Sequence, residues 1–222
     1  MLPLVKEKWN RALPFVFVAL FALSRWPGLL PWGFSAVYAL AFCGGVYLPK
    51  RTSWWLPLVV LFATDLALDF YYQHKYPGTN VWGASNLASL GFNCAAYAAM
   101  IFLGRKFKPQ SRFAPLIGGS LLGAVLFYLI TNTASWFLSP EYAKTLAGWI
   151  TALTIGIKSD GFPPTWMFFL NSLLSTGLFT ALFVAAEKLT APAESPQEKE
   201  AGNKAAEPEA GPEEEAPKGA KA

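Results

Sequence analysis

WWLPLVVLFATDLALDFYY, residues 54–72, is a nearly unbroken apolar run of nineteen residues that holds two carboxylates, Asp65 and Asp69. Coiled as a helix it is long enough to cross a hydrocarbon core of ~30 Å, which takes roughly 17–25 residues. The two acids stand four residues apart and share one helical face. Near mid-span an ionisable group is disfavoured by roughly 2.5–3.5 kcal/mol. Asp65 therefore needs either a polar cavity or an internal partner, with Arg25 the available cation, whereas Asp69 lies within a turn of the outer end.

Working outward from this run, further apolar segments lie near residues 12–30, 33–49, 82–103, 114–138 and 164–187. The expected fold is an all-α membrane protein of six transmembrane helices. Composition agrees, since 54% hydrophobic residues against 14% charged is too little charge to coat a soluble globule. Lys6, Lys8 and Arg11 precede the first apolar run in the manner of a signal peptide, but no small-x-small cleavage site follows. Residues 145–157 are apolar yet too short to span. They read as a short helix at the outer face, interfacial or re-entrant. Paired aromatics near span ends, Trp54-Trp55 and Tyr71-Tyr72, are of the kind that anchor helices at the headgroup level.

Basic residues orient the bundle. With the amino terminus inside, alternating loops place ten Lys and Arg on the inner side and four on the outer, so both termini are expected in the cytoplasm. The chain divides into a membrane domain, residues 1–188, with net charge +8, and residues 189–222, with −4. The latter segment is rich in Ala, Glu and Pro, contains no aromatic residue, and reads as a disordered acidic cytoplasmic tail. The overall +4 thus reflects topology and implies no nucleic-acid partner.

Polar residues inside the spans nominate the site. Arg25 and Asp65 could pair or could bind a zwitterionic or anionic solute together. Asn132 and Trp136, four apart, set an amide beside an aromatic plane suited to a flat polar ligand. Arg25, Asp65, Asp69, Asn132 and Trp136 are the candidate solute-binding residues. A cavity among them would favour solute capture, and solid packing there a scaffold or assembly subunit. Small residues four apart, Gly91-Ala95-Ala99, Gly119-Gly123, Gly177-Ala181-Ala185 and Ala41-Gly45, mark helix faces able to pack closely. The single His74 and the two cysteines, Cys43 and Cys94, fit no CxxC or HExxH spacing, so no metal is expected. No GxSxG, P-loop or paired nucleophile and base occurs, and the chain reads as neither an enzyme nor a cofactor protein.

The segments FSAVYALAFCGGVYLP (34–49), ATDLALDFYY (63–72), GRKF (104–107), LFYLITNTASWF (126–137) and YAKTLAGWITALTIGI (142–157) resemble a bacterial six-span membrane family of unknown function. That family is itself similar to the substrate-binding S components of energy-coupling factor transporters. The resemblance covers about residues 22–188. It implies an S-component-like bundle in the bacterial inner membrane that binds a vitamin or other micronutrient from the outer side. It further implies docking on a transmembrane coupling subunit driven by cytoplasmic ATPases. The chain departs from the family pattern at Gly33 and Ala36, where Asn and Pro usually flank the Phe, and at Asn171, where an acid is common.

Overall fold

The computed structural model describes residues 19, 21–75, 82–158 and 163–190. Residues 12–18 and 20 of the first expected span, and the acidic tail beyond residue 190, lie outside them. Among the described residues all regular secondary structure is helical. A helical turn at residues 21–24 leads into an irregular segment. Then follow α1 (Val37–Tyr47), α2 (Thr52–Lys75), α3 (Ala84–Gly104), α4 (Phe113–Leu138), α5 (Leu146–Thr154) and α6 (Thr165–Thr190). Helices α2, α3, α4 and α6 are each long and apolar enough to cross a membrane.

Two expected spans are corrected. The helix expected over residues 12–30 stops at residue 24. Pro27 lacks an N–H and disfavours helical geometry at Trp26, and Gly28 follows with φ +83°. The span expected over 33–49 is only the 11-residue α1, about 16 Å long at 1.5 Å per residue, too short to cross the core unaided. Nine of its eleven residues are buried. A wholly apolar helix buried on every side belongs to the middle of a bundle, and α1 packs on α2, α3, α4 and α6. The short apolar segment expected at 145–157 folds as α5, capped by the Thr145 hydroxyl accepting from the Gly148 N–H at 3.2 Å. His74 sits exposed in the last turn of α2.

Close approach of α1 and α3 depends on glycine. A Cβ on Gly104 would collide with the Phe42 carbonyl, and one on Gly45 with the Ile101 carbonyl, so each backbone lies directly on the other. Around this contact Phe42, Met100, Ile101 and Leu116 are fully buried, and Phe42 meets Phe107 edge-on at 5.3 Å. The row Gly119-Gly123 also faces inward, against Phe107 and Met100. Gly91 instead has open space before it.

The outside of the bundle is apolar. On α6, Leu170, Leu174, Leu178 and Leu182 form a row four apart, each about half exposed, while Ser172, Ser175, Thr176 and Thr180 are buried on the opposite side. Leucines outside and hydroxyls inside invert the arrangement of a water-soluble helix and suit a lipid solvent. At one end, Arg105 Nη1 donates to the Lys50 carbonyl at 3.5 Å and its guanidinium lies over the Trp54 ring. Lys188 Nζ there donates to the Ser111 carbonyl at 3.0 Å. Lys50, Arg105 and Lys188, three of the ten basic residues expected on one membrane side, thus lie at one end of the bundle.

Candidate functional site

The irregular segment from Arg25 to Ser35 is a closed loop whose ends meet through one hydroxyl. Ser24 Oγ accepts from the Ala36 N–H at 3.0 Å and donates to the Phe21 carbonyl at 2.7 Å. Such a loop with adjoining ends is compact rather than extended. Inside it, short turns close between Trp26 and Leu29 at 3.1 Å and between Pro31 and Phe34 at 2.9 Å. Gly33 has φ +76°, and a Cβ there would press on the Phe168 carbonyl at 3.1 Å, so the loop can rest on α6 only with glycine at this point. Asn171 Nδ2 then donates to the Trp32 carbonyl at 2.9 Å. Two of the three positions that depart from the resembling family, Gly33 and Asn171, therefore meet at one junction.

Between this loop and the helices lies a cavity of about 300 Å³. Thirteen of its sixteen lining residues come from Ser24 to Tyr38, so the loop builds most of the wall. Leu68 and Tyr72 of α2 and Tyr97 of α3 complete it. Six of the sixteen are aromatic, Trp26, Trp32, Phe34 and three tyrosines. Tyr38 and Tyr97 are buried, and both rings pack on Phe127, at 5.1 and 4.8 Å between centroids. The Ser172 hydroxyl lies 3.1 Å from that of Tyr38. Rigid rings whose polar tips are held by neighbours form a site shaped before anything enters it.

Arg25 is the one charged residue in the lining. Its Nη2 donates to Asp65 Oδ1, and the two side chains are 14% and 12% exposed. Arg25 Nη1 and Asp65 Oδ2 are both buried and hydrogen-bond to no described residue. The Tyr97 hydroxyl is near enough to act on the guanidinium. Asp65 sits behind Arg25, one turn below Leu68, and is not in the lining. Asp69, a further turn along and half-buried, is within the field of Arg25 but also outside the lining.

The other two candidates occupy a different corner. Asn132 Nδ2 donates to the Tyr128 carbonyl one turn back in α4, at 2.9 Å. Trp136 Nε1 donates to the Ala143 carbonyl at 2.9 Å, and Lys144 Nζ lies 5.8 Å from its ring and reaches the Trp136 carbonyl. Nearby, Trp149 Nε1 donates to Thr133 Oγ1 at 2.9 Å, and the Tyr128 hydroxyl donates to the Leu153 carbonyl. These bonds fasten α5 to α4. Sequence reasoning had not nominated Tyr38, Trp32 or Tyr97, although a tyrosine in mid-span, whose hydroxyl must find a partner, was a usable signal.

Helices of this length and apolarity, inverted in polarity and enclosing a loop-walled cavity, define an all-α membrane protein. The chain belongs to a family of unknown function, DUF6580, whose model matches residues 6–198. No curated protein and no solved structure matches it.

Proposed function

We propose that this protein binds a small solute in the cavity between the Arg25–Ser35 loop and helices α1, α2 and α3, from the outer side of a cytoplasmic membrane in which both termini face inward. The supporting observation is the loop itself. Helix α1 extends only about 16 Å from the end marked by Lys50 and Arg105, so the loop occupies the remaining depth of the bundle. Non-helical backbone at membrane depth is tolerated where protein buries it or where it lines a cavity, because lipid offers its amides no partners. Here thirteen consecutive-region residues do line one.

Capture without chemical conversion fits the wall, which offers aromatic faces, hydroxyls and one paired cation. The resemblance to S components supports uptake of a vitamin-sized micronutrient, with a separate coupling subunit and its ATPases as partners. The test is direct. Full-length protein purified in detergent should release a small molecule on denaturation, detectable by mass spectrometry, and the Trp32→Ala variant should retain much less of it. Recovery of no solute from either protein, together with tryptophan emission unchanged by a micronutrient panel, would refute the proposal.

A further inference from the structure

The cavity contains a charge, yet its floor is electrically balanced. Arg25 is the cationic lining residue, and its guanidinium is already engaged by Asp65 directly behind it. A carboxylate or phosphate entering the cavity would gain Arg25 but meet the field of Asp65. An ammonium or amidinium would gain Asp65 only across the guanidinium. Asp69 stands one turn farther, half-buried and outside the lining. The remaining polar atoms of the pair, Arg25 Nη1 and Asp65 Oδ2, are both buried and not open to the cavity, and the Tyr97 hydroxyl also acts on the guanidinium. A neutral ligand leaves that pairing undisturbed, whereas a charged one must compete with one of its members.

We infer that the solute is uncharged and planar, an aromatic or heteroaromatic ring that seats among the aromatic side chains and leaves the Arg25–Asp65 pair intact. The ring stacks among Trp26, Trp32 and Tyr97, which have no charge preference of their own beyond a weak attraction for cations. A 300 Å³ space admits a substituted ring system. This inference rests on the cavity being a solute site, and it assigns the chemical class of that solute.

The experiment uses three probes that share one ring and differ in charge: benzamide, benzoate and benzamidine. Each is titrated at millimolar concentration into the full-length protein in detergent, with melting temperature and tryptophan emission as readouts. Benzamide should bind the wild type at least tenfold more tightly than either charged probe. In Asp65→Asn the freed guanidinium should shift the preference to benzoate. In Arg25→Gln the freed carboxylate should shift it to benzamidine, and the double variant should bind neither charged probe. A wild type that prefers benzoate or benzamidine would overturn the neutral class while upholding the cavity as a site. Loss of a benzamidine preference in Asp69→Asn would then assign the charge to Asp69. No response to any probe in the wild type or the variants would overturn both readings. Should the single variants fail to fold, the ranking of the three probes on the wild type decides alone.

Discussion

Breaking the Arg25–Asp65 pair from either side should destabilise the bundle, and breaking it from both sides should restore much of the loss. Removing one partner of a buried ion pair leaves the other charge desolvated and uncompensated, at a cost of roughly 3–5 kcal/mol. With side chains 14% and 12% exposed, this pair keeps some contact with its surroundings, so the lower end of that range applies, about 3 kcal/mol. For a chain of this size ~1 kcal/mol corresponds to roughly 2–4 °C, so Arg25→Gln or Asp65→Asn should lower the detergent melting temperature by about 6–12 °C. Both substitutions retain hydrogen-bonding side chains of similar volume. In the double variant no charge remains to be buried, and the two neutral amides can bond to each other. Its melting temperature should therefore recover to within about 1 kcal/mol of wild type, a coupling well above the error of a double-mutant cycle. The assay is a thermal melt of all four proteins in one detergent, scanned at one rate because membrane proteins often unfold irreversibly. A double variant no more stable than the worse single variant would refute the reasoning, since the two groups would then act independently.

Gly104→Ala should lower the melting temperature sharply, by the equivalent of ~2 kcal/mol or more, because the new Cβ meets the backbone carbonyl of Phe42. Gly91→Ala, in open space, serves as the control and should melt as wild type or slightly above it. Tyr128→Phe removes the bond to the Leu153 carbonyl that ties α5 to α4, and should cost about 1 kcal/mol in the same assay. Asn171→Ala frees the Trp32 carbonyl, and the tryptophan emission should shift to the red as the loop loosens, with melting lowered by about 1 kcal/mol. For orientation, a cysteine replacing His74 should react with a membrane-impermeant thiol reagent on intact cells. One replacing Lys108 should react only after permeabilisation, and the reverse pattern would invert the topology.

The long helices were legible in the sequence because lipid exposure and burial both demand apolar side chains, so α2, α3, α4 and α6 each show as an uninterrupted run. The same property hid the loop. Trp26, Leu29, Leu30, Trp32 and Phe34 are as apolar as any span, and hydropathy cannot tell a helix from a loop folded into the bundle. The discriminating signals were conformational, Pro27-Gly28 and Pro31 with Gly33, spaced too closely for a helix to survive between them. The association of Arg25 with Asp65 could be anticipated, since two opposite charges in one small apolar body have few other means of neutralisation. The surroundings of Asn132 and Trp136 could not be read in the same way. An amide in a helix can turn back to the carbonyl four residues earlier, as Asn132 does, and sequence does not reveal when it will.

The buried hydroxyls of α6 bear on how the protein is assembled. Ser172 donates to the Phe168 carbonyl at 2.7 Å, Ser175 to the Ser172 carbonyl at 3.1 Å, and Thr176 to the same carbonyl at 2.6 Å. Three of the four buried hydroxyl protons are thus accommodated within the helix that bears them, while Thr180 Oγ1 has no such partner. An isolated α6 can therefore enter the bilayer with one unmatched hydroxyl in this stripe rather than four, carrying its other buried hydroxyls at little cost until the other helices arrive. Insertion of the last helix is thereby uncoupled from completion of the bundle, and its polar stripe is available to choose a packing partner after the membrane has been crossed.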